Sequence, residues 1–189
     1  MKIKLTILLL LTSFLNFGQD LNEMKKDVLK MQTLTIAKKY AATLDYTHPK
    51  VFELASKEQL IEVMNNIFDN DLMTITMVDV APNYTYSDII TASKGKYCVI
   101  EYNSEMNIEF KEDITETKEI MIESLQNNMK NYNITFDEKL NTINASGKAQ
   151  IIAISDELTN GSWKFINYDE ESPMMEKVLS KEILKQLGL

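Results

Sequence analysis

The 189-residue chain has no arginine, and all 20 of its basic residues are lysine. It therefore lacks the guanidinium fork that holds phosphate, carboxylate or guanine through two parallel hydrogen bonds. Acidic residues number 28 and the formal net charge is −8, a balance that repels phosphate backbones and anionic membranes. Nucleic acid is thereby set aside as a partner. Cys98 is the single cysteine, so no intrachain disulfide can form and stability must come from packing. His48 is the single histidine, which leaves little imidazole for acid–base or metal chemistry. Long apolar runs are also scarce. The one at the N-terminus falls short of the roughly 20 residues that cross a bilayer, and none of that length follows it.

That N-terminal run carries an address. Lys2 and Lys4 flank the start of an apolar stretch from Ile3 to Leu15, and Asn16-Phe17-Gly18 sets a small residue before Gln19-Asp20. This is the pattern of a secretory signal peptide over residues 1–18, cleaved between Gly18 and Gln19. A lipoprotein would need cysteine at the place held by Gln19, so no lipid anchor is expected. The expected mature protein is extracytoplasmic, periplasmic or secreted, free of a membrane anchor, and a single domain over residues 19–189. Loss of Lys2 and Lys4 makes it two charges more negative. The abundance of Lys, Asn and Ile has the bias of an AT-rich bacterial genome, in which the sequons at Asn83, Asn133, Asn144 and Asn160 are coincidental.

After the leader, apolar residues Leu21, Met24, Val28, Met31, Leu34, Ile36, Tyr40 and Leu44 recur in steps of mainly three and four. The spacing predicts one long amphipathic helix ending near Tyr46, where His48-Pro49 breaks it. Ser56 with Gln59 has capping-box spacing for a second helix bearing Leu60, Ile61, Met64, Ile67 and Phe68. The period then changes to two. Strands are expected over Leu72–Val80 and Ser87–Ala92, with a Lys94-Gly95-Lys96 turn leading into the longest alternating run. There Cys98, Ile100, Tyr102, Met106, Ile108 and Phe110 share one face and Glu101, Asn103, Glu105, Asn107 and Glu109 the other, as in a sheet covered on one side. A third helix is expected over Glu116–Tyr132. Further strands follow at Ile134–Phe136, Thr142–Ala145, Ala149–Ile154 and Ser162–Tyr168, the last two joined through an Asn160-Gly161 hairpin signal. Pro173 opens a C-terminal helix over about 173–187.

These elements predict an α+β domain: a long N-terminal helix and further helices packed on one face of a curved, mainly antiparallel sheet. The segment YAATLDYTHPKVFEL followed by KEQLIEVM resembles the NTF2-like (SnoaL-like, cystatin-type roll) superfamily. The stretches NITFDEKLNTINA, IIAISDE and GSWKFINYD are similar to the strand-rich half of its secreted bacterial members, most of which lack an assigned function. The resemblance covers roughly residues 20–170. Two departures stand out, a helix at Glu116–Tyr132 where many members have a turn, and the added C-terminal helix. The resemblance implies a conical pocket between sheet and long helix, in which catalytic members place Asp, His or Tyr for proton transfer. It also implies a tendency to dimerise, so monomer and homodimer both stay open.

The supply of chemistry for such a pocket is thin. His48 with Asp45 is the candidate acid–base pair, against a reading of His48 as a cap-adjacent surface residue. Glu101, Glu105 and Glu109 recur every fourth strand residue, about 13 Å apart, too far to share a proton or a metal ion. Asp169-Glu170-Glu171 lacks the glycine and alternating ligands of a calcium loop, and no metal site is expected. Cys98 reads as a buried thiol, and Ser104 has no nucleophile-elbow glycines around it. Met77, Tyr102, Met106, Trp163 and Phe165, together with Tyr97, suit either an apolar ligand pocket or plain core. The expectation is an exported bacterial protein, non-catalytic and without cofactor, that binds a small apolar ligand in the roll or a protein partner on the open sheet face. The alternative is a cofactor-independent isomerase or dehydratase using His48 and Asp45 in the roll pocket.

Overall fold

A computed structural model describes residues 20–79, 83–170, 172 and 175–189. The expected signal peptide, its expected Gly18-Gln19 cleavage point and Pro173 lie outside the described residues. The fold is α+β, and the described residues form six helices and a seven-stranded antiparallel sheet that does not close. Helix α1 covers residues 20–36 and buries Met24, Val28 and Met31. It stops earlier than the apolar spacing predicts. Lys38 adopts φ +54°, and the amides of Lys38 and Lys39 return to the carbonyls of Thr35 and Leu34 at 2.9 Å each. This is a Schellman termination, usually built on glycine. The sequence offers no glycine there, so the stop is invisible to a pattern search. The chain resumes as a short helix α2 (Tyr40–Thr43) and a 3-10 turn (Leu44–Tyr46).

His48 is extended, as the residue before a proline should be, and caps a second 3-10 turn, Pro49–Glu53. Helix α3 (Lys57–Phe68) carries the expected capping box, with Ser56 accepting from the Gln59 amide and the Gln59 side chain accepting from the Ser56 amide. Strand β1 (Met73–Met77) follows, then the two short strands β2 (Thr85–Tyr86) and β3 (Ile90–Ala92). The hairpin into β4 (Gly95–Phe110) turns on Ser93 and Lys94, whose φ values of +46° and +65° give the primed geometry that matches strand twist. The turn thus lies one residue upstream of the expected Lys94-Gly95-Lys96, and Gly95 opens the strand.

Helix α4 (Lys118–Asn128) is shorter than the 116–132 pattern and leads to β5 (Tyr132–Asp137). The two strands expected over 142–154 are one, β6 (Thr142–Ser155). Gly147 lets it run through, because a Cβ there would collide with the Asn131 carbonyl and with Tyr132. Strand β7 (Lys164–Asn167) is joined to β6 by a longer loop than a tight hairpin, with Asn160 and Gly161 both at positive φ inside it. The C-terminal helix is broken into α5 (Met175–Val178) and α6 (Lys181–Gln186), the second capped by Ser180.

The sheet runs β1-β4-β6-β5, with β2 and β3 also on β4 and β7 on β6. Its spine is the uninterrupted β4·β6 ladder from Lys96↔Ser155 to Glu109↔Thr142. One face of the ladder's upper part, Cys98, Ile100, Ile151 and Ala153, packs with Phe165 and Trp163 against Met24, Val28 and Met31 of α1. Tyr97, Ile152 and Ile154 point the other way and pack with Ile166 against Met175, Val178, Leu179 and Ile183. The expected single covered face therefore holds only for the lower part. There Ile75, Ile108, Ile134, Ile143 and Ala145 pack under Ile122, Leu125 and Met129, while Asn103 and Glu109 remain exposed. No helix among the described residues is long and apolar enough to cross a membrane.

Candidate functional site

The edge of β4 away from β6 is paired in three pieces. Strand β1 covers Met106–Phe110, with the Val78 amide bonding the Glu105 carbonyl at 2.9 Å just beyond it, β2 covers Ile100 and Glu101, and β3 covers Gly95–Tyr97, so that among the described residues a gap separates β1 from β2. Residues 102–104 face this gap. A shallow groove opens there, walled by Leu29, Gln32, Thr33 and Ile36 of α1 on one side and by Met77–Asp79, Tyr84 and Tyr102–Glu105 on the other. The α1 residues recur at steps of three and four on the flank beside the buried stripe, so the helix that seals the core also supplies one wall.

Two tyrosines, Tyr84 and Tyr102, line the groove, and Tyr86 packs beside them. Tyr84 lies 5.7 Å from Tyr102 and 6.1 Å from Tyr86 between ring centroids, tilted at 48° and 45°. Tyr102 hydrogen-bonds the Gln32 side chain. Burial pushes the phenols of Tyr84 and Tyr102 above their ordinary value, so both stay neutral hydroxyls at physiological pH. Ser104, 5 % exposed, adds a hydroxyl near the floor.

The expected pocket set divides. Met77 and Tyr102 line the groove, whereas Met106 packs in the lower core, and Trp163 and Phe165, 2 % and 1 % exposed, lie in the core beneath α1. Sequence reasoning missed the α1 wall and Tyr84. The signal that points to the wall is the offset of Leu29, Gln32, Thr33 and Ile36 from the buried stripe; nothing local marks Tyr84, which is placed by the sheet gap.

His48 and Asp45 are not partners. Asp45 bonds Lys57 at the surface, while His48 is 1 % exposed and its Nε2 lies 3.1 Å from Asp156 Oδ2, across the fold. The Lys50 amide donates to Nδ1 at 3.4 Å, which requires an unprotonated Nδ1, so Nε2 carries the proton and donates to the carboxylate. Burial, the largest influence, holds this imidazole below its ordinary value, against the opposing effect of Asp156. Both nitrogens are thus occupied and shielded, and neither is left to take a substrate proton. The Asp156 loop is itself braced, with its amide bonded to Thr159 Oγ1 at 2.9 Å and its Oδ1 accepting from the Thr159 amide at 3.1 Å.

Cys98 is fully buried against Ser87, and desolvation raises its thiol above the ordinary value, the reverse of an activated nucleophile. Glu101 pairs with Lys148 on the outer sheet face. Among the described residues no three His, Cys, Asp or Glu side chains converge as metal ligands would. The sequence matches no protein-family model, and it matches no curated protein.

Proposed function

We propose that the protein is an exported bacterial binding protein, an NTF2-like roll whose groove at the sheet gap takes up a small, largely apolar molecule. The observation that carries this reading is the groove itself, where Leu29, Ile36, Met77, Val78, Tyr84 and Tyr102 supply apolar wall and Gln32 and Ser104 a few orienting polar groups. That mixture is what small-molecule sites use, a mainly apolar lining with sparse hydrogen-bonding groups. Binding is favoured over catalysis because the only imidazole is spent on Asp156 and the Lys50 amide, and the only thiol is buried. A signal peptide over residues 1–18 supports an extracytoplasmic location.

Titration with a neutral naphthylamine dye tests the reading. Saturable binding at one site per chain is expected, weakened at least tenfold by Met77→Trp, which fills the groove, in a variant whose circular dichroism and melting temperature match the parent. No saturable binding, or binding that Met77→Trp leaves unchanged, overturns it.

A further inference from the structure

We propose that the outer edge of β5 is a self-pairing site, through which two copies of the chain join antiparallel into one continuous sheet. The sheet ends on β5 at one side, and its other edges are guarded or short. At the start of β1, Asp69 bridges Thr74 from outside and the Asn70 amide donates to the Met73 carbonyl at 3.0 Å. On β7, Thr47 pairs with Phe165 and the His48 amide donates to the Phe165 carbonyl at 3.2 Å. Strands β2 and β3 have two and three residues, and short edge strands template a partner poorly. Strand β5 has six, in unbroken register with β6 and with no strand on its other side among the described residues. It carries none of the devices that blunt an edge: no proline, no lysine and no bulge. Its Tyr, Ile, Thr and Phe are instead residue types that favour strand pairing.

The strand is complementary to itself, which makes a second copy its occupant. Residues opposite one another in a ladder share a face. A twofold axis through Ile134 therefore sets Ile134 against its counterpart, Asn133 against Thr135 and Tyr132 against Phe136 of the second copy. The match holds on both faces. Asn133 and Thr135 are exposed polar groups on the open face, while Tyr132 and Phe136, half-buried on the core face, form cross-strand aromatic pairs. The flanking charges agree as well. Lys130 lies four residues before the axis and Glu138 four after it, both exposed, so each lysine meets the other copy's glutamate at the two ends of the ladder. An axis at Asn133 or at Thr135 sets Lys130 against Phe136 or Leu140 and loses both pairs. Glu138 already holds Lys118 of its own chain, and such rim pairs fix register more than they add affinity, which comes from the main-chain bonds. No β5 residue lines the groove, so this site and the groove stand or fall independently.

Sedimentation velocity of the protein purified after export, from about 1 μM to about 1 mM, spans the range of a small interface. The mass is expected to rise from monomer to dimer, while amide exchange over residues 132–137 slows about threefold or more and exchange in α3 is unchanged. The double variant Asn133→Lys, Thr135→Lys sets like charges opposite one another across the axis and leaves both side chains in solvent within each copy. It should weaken association about tenfold or more, with circular dichroism and urea midpoint close to the parent's. Lys130→Glu and Glu138→Lys should each weaken self-association about threefold, and the two variants mixed should associate as the parent does. These two exposed positions lie outside the strand and keep the test decisive if the lysine variant fails to fold. A monomeric mass at every concentration overturns the proposal and leaves the edge to a foreign strand. A dimer that survives the lysine variant, or that leaves exchange in β5 unchanged, uses another surface and also overturns it. Charge-reversed variants that associate with each other no better than with themselves overturn the pairing about Ile134.

Discussion

The two halves of the β4·β6 ladder share strands and register but live in different surroundings. In the upper half, Tyr97–Ile100 opposite Ile151–Ile154, both faces are buried, one by α1 and the other by the C-terminal helices. In the lower half one face packs under α4, while the other presents Asn103, Glu105, Asn107 and Glu109 opposite Lys148, Ser146, Asn144 and Thr142. The sequence signatures differ accordingly. YCVI and IIAI are continuous apolar runs, the mark of a strand covered on both sides, whereas NSEMNIEF alternates. The groove lies at the junction, where β4 changes from one regime to the other. The upper half is covered on both faces, and the groove lies just below it.

Truncation on the upper half should give the largest effect. Ile152 is fully buried beneath the C-terminal helices, so Ile152→Ala is expected to cost about 3 kcal/mol in urea unfolding. Asn107→Ala, on the open face of the lower half, should stay within about 0.5 kcal/mol. Comparable losses at the two positions would break the contrast. Next comes Gly147→Ala, which drives a methyl into the Asn131 carbonyl and should cost about 2 kcal/mol; a neutral result would mean that the α4–β5 connection shifts freely.

The upper half should also carry a pH dependence near neutrality, apart from the more acidic range in which the lower half's Asp69 and Asp113 are held below their ordinary values by hydrogen bonds to Thr74 and Thr115. His48 in the folded chain titrates below its ordinary value, so between the folded and unfolded pKa values the unfolded state binds more protons. Its contribution is complete above about pH 6.5 and is lost as pH falls through the folded pKa. Protonation also removes the acceptor for the Lys50 amide, although Asp156 and Glu53 favour the charged ring. The midpoint of urea unfolding should therefore fall less between pH 7.5 and pH 5 in His48→Gln than in the parent; an equal fall would assign the dependence elsewhere. The smallest effect should come from Lys148→Ala, which removes a solvent-facing pair with Glu101 and should cost less than about 0.5 kcal/mol by the same unfolding measurement.

The sequence makes the helices' inward stripes, the Ser56 capping box and the alternation of the lower half readable, because each is a local pattern with a fixed period. What escaped has a non-local cause. The end of α1 depends on Lys38 adopting a conformation normally left to glycine, and the tight turn into β4 depends on Ser93 and Lys94 doing the same. Asp156 becomes the partner of His48 only because Thr47 pairs with Phe165, drawing distant segments together. Met77 and Tyr102 stand out in the sequence by their chemistry, and both lie at the groove. Trp163 and Phe165 share that chemistry but are covered by α1, a matter of packing that no periodicity encodes.

The long ladder also bears on how fast the domain can assemble. Strands β4 and β6 meet only after α4 and β5 have been looped out between them, so the central contacts of both cores are distant in sequence. Chains dominated by such contacts fold on the order of milliseconds to seconds, since loop-closure entropy is spent before the pairing rewards it. Until β6 docks, the apolar run from Tyr97 to Ile100 has no permanent cover on its paired edge. A newly made chain is therefore most exposed to aggregation in the interval before its last strands arrive.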